Sequence, residues 1–220
     1  MRLFSVLLAS LGFLALAAPA RAETPFSPVP ALEGKKTTLQ IRQLDFSGGA
    51  SGHITVEVRN PAKQPQAFEA KGIYFVPHGD AQSAPQREGA VGPFEVKEGQ
   101  GWRRAEHLMI QPGKTVVLKL QTFCLDSHRG APGKGQGYGV ARERLPKDLI
   151  NQNETAAKRA IKAKAGKVDE AQGDIQSNVW SNRNMMWIQL EGERKDEKGS
   201  SSVPQGVRHY NRRPINQNIE

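Results

Sequence analysis

Along "GHITVEVRNP", residues 52 to 61, every second side chain is apolar: Ile54, Val56 and Val58 face one way and Thr55, Glu57 and Arg59 the other, before Asn60-Pro61 turns the chain. A period of two is the mark of a half-buried antiparallel strand. The pattern recurs in "TTLQIRQLDF", in "GIYFVP" from Gly72 to Pro77, in a weaker "EHLMI", and in "KTVVLKLQTFCLD" after the turn Gln111-Pro112-Gly113. No helical period separates these runs, and Pro and Gly turns punctuate them. The expected fold is therefore mainly β: an immunoglobulin-like antiparallel β-sandwich over residues 37 to 126. The stretch Gly79 to Gly101, rich in Gln, Glu and Gly, reads as a loop with one short strand near Phe94 to Val96.

Beyond Asp126 the character changes. Gly130 to Gly139 reads as a mobile loop, and "NETAAKRAIKAKAG" as a helix with Asn153 at its N-cap and Gly166 as its C-terminal stop. A second helix is predicted over Val168 to Asn182, where Val168, Ala171, Ile175 and Val179 form one apolar stripe. "MMWIQLEG" then reads as a strand or helix extension returning to the core. Residues 127 to 190 thus form a C-terminal helical extension packed on the sandwich. The polar segment 191 to 220, with the basic cluster Arg208, His209, Arg212 and Arg213, is expected to be a disordered tail.

At the other end, one arginine precedes the apolar run Leu3 to Ala18, and Ala20-Arg21-Ala22 follows it. That is the pattern of a cleavable signal peptide over residues 1 to 22, so the expected location is periplasmic or extracellular. Residues 23 to 36, with their prolines, read as an extended leader. No segment has the roughly 18 apolar residues of a membrane span. Cysteine usage matters in an oxidising compartment, and Cys124 is the only cysteine. No internal disulfide can form, so the fold has to rest on its apolar core. The formal charge of +9 falls to +7 once Arg2 and Arg21 leave with the signal peptide. A basic exported chain is drawn to anionic surfaces. The partners expected are a protein or an anionic envelope polymer. The few aromatic residues are not interleaved with basic ones as stacking platforms, which argues against sequence-specific nucleic-acid binding.

Motifs for catalysis and cofactors are missing from this reading. His53, His78, His107, His128 and His209 include no helical i, i+4 pair and no Cys partner, so no metal site is expected. "SGGASGH" lacks the spacing of a nucleophile elbow. The run Gly133 to Gly139 offers glycines and Lys134, yet no following Ser or Thr at the start of a helix as a phosphate cradle requires. No cofactor and no enzymatic activity are expected.

Cys124 stands apart. In "TVVLKLQTFCLD", Val116, Leu118, Leu120, Thr122 and Cys124 share one face, which is the cleaner core face, so the thiol should be buried near the strand end. Strand alternation thus disfavours an intermolecular disulfide, which needs an exposed thiol. Two roles stay open: a small inert core residue, or one partner in an internal bond.

The second role comes from a resemblance. Phe123-Cys124-Leu125-Asp126, followed by a Pro/Gly loop ending at Tyr138 and by Ile175-Gln176-Ser177-Asn178-Val179-Trp180, resembles the two signature motifs of bacterial surface thioester domains. The resemblance covers residues 115 to 182, and it implies that Cys124 supplies the thiol, Gln176 the acyl group and Trp180 a shield. It further implies that Gly173, on the face of Gln176, allows close approach of helix and strand. Asn178 departs from the family, which has a small residue there. The function expected on these grounds is that of an exported, non-enzymatic binding or adhesion protein, with a thioester for covalent attachment. The competing expectation is a small periplasmic enzyme or enzyme inhibitor.

Overall fold

A computed structural model describes residues 24–80 and 83–194. Residues 1 to 22, expected to be a signal peptide, and residues 195 to 220 of the expected tail fall outside the described residues. Ten strands precede two helices: β1 (Ser27–Pro28), β2 (Gln40–Phe46), β3 (Ser51–Arg59), β4 (Gln66–Phe68), β5 (Tyr74–Pro77), β6 (Glu88–Glu98), β7 (Gly101–Ala105), β8 (Leu108–Ile110), β9 (Thr115–Cys124), β10 (Tyr138–Val140), α1 (Lys147–Ala163) and α2 (Val168–Met185).

Mainly β architecture with antiparallel pairing and C-terminal helices is what these elements build. Eight strands form one sheet in the order β1-β2-β3-β9-β6-β5-β10, with β7 on β6, while β4 and β8 pair separately. The large sheet curls until β10 meets β2 and is nearly closed. Among the described residues no strand ladder bridges that seam. The Gln43 side chain does so instead: its Nε2 donates to the Gln136 carbonyl at 2.8 Å, and its Oε1 accepts the Tyr138 N–H at 2.6 Å. A carboxamide carries one donor and one acceptor group, so it can stand in for a peptide unit.

The alternation in the sequence sets the register. Ile54, Val56 and Val58 of β3 lie opposite Leu120, Leu118 and Val116 of β9. Their shared face fills the curled sheet together with Phe75, Phe94 and Tyr138. Full burial of one such aliphatic side chain is worth about 1.5–3 kcal/mol. A second core lies between the end of this sheet and the helices, where Phe123 and Leu125 meet Leu149, Ala171, Ile175 and Val179. At its C-terminal end β9 is therefore buried on both faces.

Three expectations are corrected. The stretch expected to be a loop with one short strand holds all of β6, an 11-residue strand paired with β9, β5 and β7. Its Gly89, Gly92 and Pro93 look like breakers but serve a register shift between Ala90 and Phe94. Gly92 has φ +80°, a conformation suited to glycine, and a Cβ on Gly89 would lie 2.8 Å from Leu125 Cδ2. Asn153 is not the N-cap of α1, which begins six residues earlier, after Pro146. Asn153 is buried inside the helix, where its Oδ1 accepts from Asn182 Nδ2 at 3.0 Å. Proline beside the first turn and Asp148 within it are the start signals that Asn153 masked. Finally, the chain does not leave the body at Glu191: Leu190 is buried, and Glu193 forms buried ion pairs.

The helix ends agree better with the reading from sequence. Lys164 is the C-cap of α1, so the left-handed position just after it falls on Ala165, at φ +53°, one residue before the expected Gly166; Gly166 follows at φ +87°, its N–H bonded to the Ile161 carbonyl at 2.9 Å. Of the expected α2 stripe, Ala171, Ile175 and Val179 are buried and Val168 is half-buried, and the helix runs three residues past Asn182, to Met185. Among the described residues, no helix is long and apolar enough to cross a membrane.

Candidate functional site

Cys124 ends β9, and its thiol is fully buried. On one side it lies opposite Glu88, the first residue of β6, so the two side chains share a face. The Cys124 thiol donates to Glu88 Oε1 at 2.9 Å. On its other side the partner strand runs out, because β3 begins at Ser51, opposite Phe123. One residue further, the Cys124 N–H is shared between the Ala50 carbonyl at 3.0 Å and Gln176 Oε1 at 2.9 Å. Gln176 Nε2 donates to the Cys124 carbonyl at 2.8 Å. The carboxamide of α2 thereby pairs with the strand where β3 no longer does.

Helix α2 holds Gln176 there because Ile175 and Val179, on either side of it in sequence, are buried in the second core. Gln176 itself is 5% exposed. Trp180, one turn further on, is buried, and its Nε1 donates to Gln86 Oε1 at 3.2 Å. Gln86 is in turn fixed by its backbone N–H to the Gly130 carbonyl at 3.0 Å and its Nε2 to the Arg129 carbonyl at 2.9 Å. Trp180 therefore seals the segment that leads into Glu88. Gly173 plays no part in the close approach: it is exposed, and a Cβ there would meet nothing within 4 Å. Asn178 is also exposed, with Nδ2 bonded to the Asp174 carbonyl at 2.7 Å.

Next to the thiol is a buried ionic cluster that sequence reasoning missed. Arg87 Nη2 lies 2.9 Å from Asp126 Oδ1 and 2.9 Å from Glu193 Oε1, and Arg183 Nη2 lies 2.5 Å from the same Glu193 oxygen. All four side chains are fully buried. The Arg87 N–H also donates to Asp126 Oδ2 at 2.9 Å, which explains a polar residue two positions after Cys124. The Arg183 guanidinium lies 4.0 Å from the Trp187 ring centroid. Only Asp126 had a visible signal, as the polar end of the Phe-Cys-Leu-Asp motif. Arg87 and Glu88 were hidden in the segment read as a loop.

Electrostatics at the thiol follow from burial. Desolvation raises the Glu88 carboxyl to about 8, against the pull of the Cys124 hydrogen bond, with Asp126 pushing the same way as burial. The Thr122 hydroxyl approaches this carboxyl outside hydrogen-bond geometry, and both Thr122 Oγ1 and Glu88 Oε2 are buried without a partner among the described residues. Burial also pushes the Cys124 thiol up, helped by the charge of Glu88.

The sign of the pH effect is fixed by these shifts. A carboxyl raised from 4.5 to about 8 favours the folded state while protonated. Its contribution is complete below about pH 4.5 and is lost as pH rises toward about 8, at up to ~1.4 kcal/mol per unit. Urea titrations between pH 5 and pH 8 should show a decline of up to about 4 kcal/mol, and Glu88→Gln should flatten it. A decline that persists in full in Glu88→Gln would assign it elsewhere. Glu69 acts in the opposite direction, outside this window. Lys35 and Lys71 hold its carboxyl down to about 2, so its contribution is lost only as pH falls below about 4.5.

Among the described residues, no group of three or more His, Cys, Asp or Glu could hold a metal ion. In comparisons with known proteins, no family model, no curated protein and no solved structure matches this chain.

Proposed function

We propose that this is an exported, non-enzymatic binding protein of the cell envelope or extracellular space that attaches covalently to its partner through an internal Cys124–Gln176 thioester. The observation that carries the reading is the double hydrogen bond that holds the Gln176 carboxamide against the Cys124 main chain, out of water. The residues are 52 apart in the chain and come from different elements. In the reaction, Cys124 Sγ bonds to the Gln176 side-chain carbonyl carbon, the carbon–nitrogen bond breaks, and ammonia leaves. The Cys124 N–H, already donating to Gln176 Oε1, stabilises the charge that develops on that oxygen. An amine or hydroxyl of the partner then attacks the thioester carbonyl, forming an amide or ester and releasing the thiol. Burial protects the thioester from water until a partner reaches it. The basic charge favours a partner on an anionic surface.

A second reading has its own support. Gln43 uses the same peptide-like pairing to bridge β2 and β10 with no covalent chemistry involved. On that reading Gln176 is a clasp, and Cys124 is an inert core residue. Intact mass of the mature protein separates the two. The covalent reading requires a mass one ammonia below that of the sequence, which methylamine converts to the N-methyl amide of Gln176, one CH2 above the sequence mass, with no deficit in Cys124→Ala. A mass equal to the sequence leaves only the clasp.

A further inference from the structure

Thioester formation has to dispose of a thiol proton inside the protein, where water is excluded. Burial and the neighbouring carboxyl both disfavour spontaneous loss of that proton. One side chain is built to receive it. Glu88 is fully buried, its Oε1 is already the acceptor of the Cys124 S–H at 2.9 Å, and its Oε2 has no other partner among the described residues. A buried carboxyl is costly unless its hydrogen-bonding capacity is used, and here half of that capacity is spent on the thiol.

We propose that Glu88 is the catalytic acid–base residue of thioester formation, an inference that rests on the covalent reading above. The Glu88 carboxylate takes the proton from Cys124 Sγ as the sulfur bonds to the Gln176 side-chain carbon. As the carbon–nitrogen bond breaks, that proton passes to Nε2, which departs as ammonia, and the carboxylate is restored. No other reactant is needed. The groups facing Glu88 fit this role. Cys124 and Asp126 approach from β9 and the turn after it, Tyr138 from β10, and Arg87 precedes Glu88 in the chain. Asp126 and Arg87 pair with each other, at 2.9 Å. At pH 7 the carboxylate form of a group with a pKa of about 8 is a minority of about one-tenth. That suffices for a bond made once per molecule.

The test uses Glu88→Gln and Glu88→Ala in the full-length protein, with intact mass measured at intervals after purification and methylamine incorporation mapped to residue 176. Mapping matters because the carboxamide introduced by Glu88→Gln could itself react with the thiol. Wild type should lack one ammonia, whereas both variants should keep the full mass and form the bond at least a hundredfold more slowly. Circular dichroism and a cooperative urea transition identify variants that have merely unfolded. Folded variants that reach the ammonia deficit at the wild-type rate would overturn the role of Glu88 while leaving the thioester intact. A wild type of full mass would instead remove the covalent reading, and this proposal with it.

If neither variant folds, the wild type decides. Methylamine-treated protein is transferred to amine-free buffer, and the rate at which it releases methylamine and re-forms the thioester is followed from pH 6 to pH 10. A rate that rises and levels off near pH 8 supports Glu88. A rate that keeps rising past pH 9 follows the thiol alone and excludes it.

Discussion

Replacing Gln176 by alanine should produce the largest loss of stability of any single change in α2. The Cys124 carbonyl would be left buried without its Gln176 partner, at about 1–3 kcal/mol, and a cavity would open in place of the buried carboxamide. If the side chains are joined, Nε2 has already left as ammonia, and what the variant loses instead is a cross-link that closes a loop of 52 residues, worth roughly 4 kcal/mol in the chain-entropy account. Cys124→Ala removes the cross-link but keeps the intact Gln176 carboxamide, which then clasps the main chain of residue 124. Urea unfolding of the two variants beside wild type should place Cys124→Ala about 3 kcal/mol below wild type, the regained clasp offsetting part of the lost cross-link, and Gln176→Ala lower still. A cost for Cys124→Ala within about 1.5 kcal/mol would mean that no cross-link was present.

Glu193→Ala should be comparably severe, although it lies in a segment that looks like tail. Its carboxylate is shared by Arg87 and Arg183, all fully buried. Removing it leaves Arg183 with no carboxylate in that cluster, where Arg87 still pairs with Asp126. Breaking a buried ionic group in this way costs about 3–5 kcal/mol, because a charge stays behind in a medium that solvates it poorly. For a domain of this size the melting temperature should fall by about 10 °C. The loss should also be nearly independent of salt, which distinguishes it from the loss of an exposed pair such as Arg103–Glu98. A shift of only one or two degrees would mean that water or another group takes over from Glu193. Because Arg87 precedes Glu88 and Asp126 follows Cys124 by two residues, the same substitution should loosen the thiol site.

The parts of this molecule that were legible in sequence are those in which one element determines its own pattern. Ile54, Val56 and Val58 alternate because β3 has one face in the core, and the same holds for Leu118 and Leu120 on β9. Ala171, Ile175 and Val179 recur with a helical period because α2 buries one stripe. β6 was hidden because its pattern answers to its neighbours: Gly89 is small to admit Leu125, and Gly92 turns through a bulge. The single curled sheet was hidden too, since strand order leaves no trace in periodicity, and Gln43 at the seam resembles any polar residue on a strand. For the site, the thiol and Gln176 could be picked out by motif, and the structure brings them to one place. Glu88 could not, because a carboxylate among 22 acidic residues carries no mark of burial. Nor could Glu193, whose partners Arg87 and Arg183 lie 106 and 10 positions away.

Those long separations have a consequence for the order of events in synthesis. A chain made from its N-terminus has every strand available before either helix exists. During that interval the end of β9 is capped by nothing from α2, the Cys124 carbonyl has no Gln176 to accept from, and Arg87 waits for Glu193. The thiol is then at its most accessible to oxidants and to other chains. Only when residues 176 to 193 arrive is it closed off, so the newborn chain, more than the finished protein, is where a reducing environment or a chaperone would matter to Cys124.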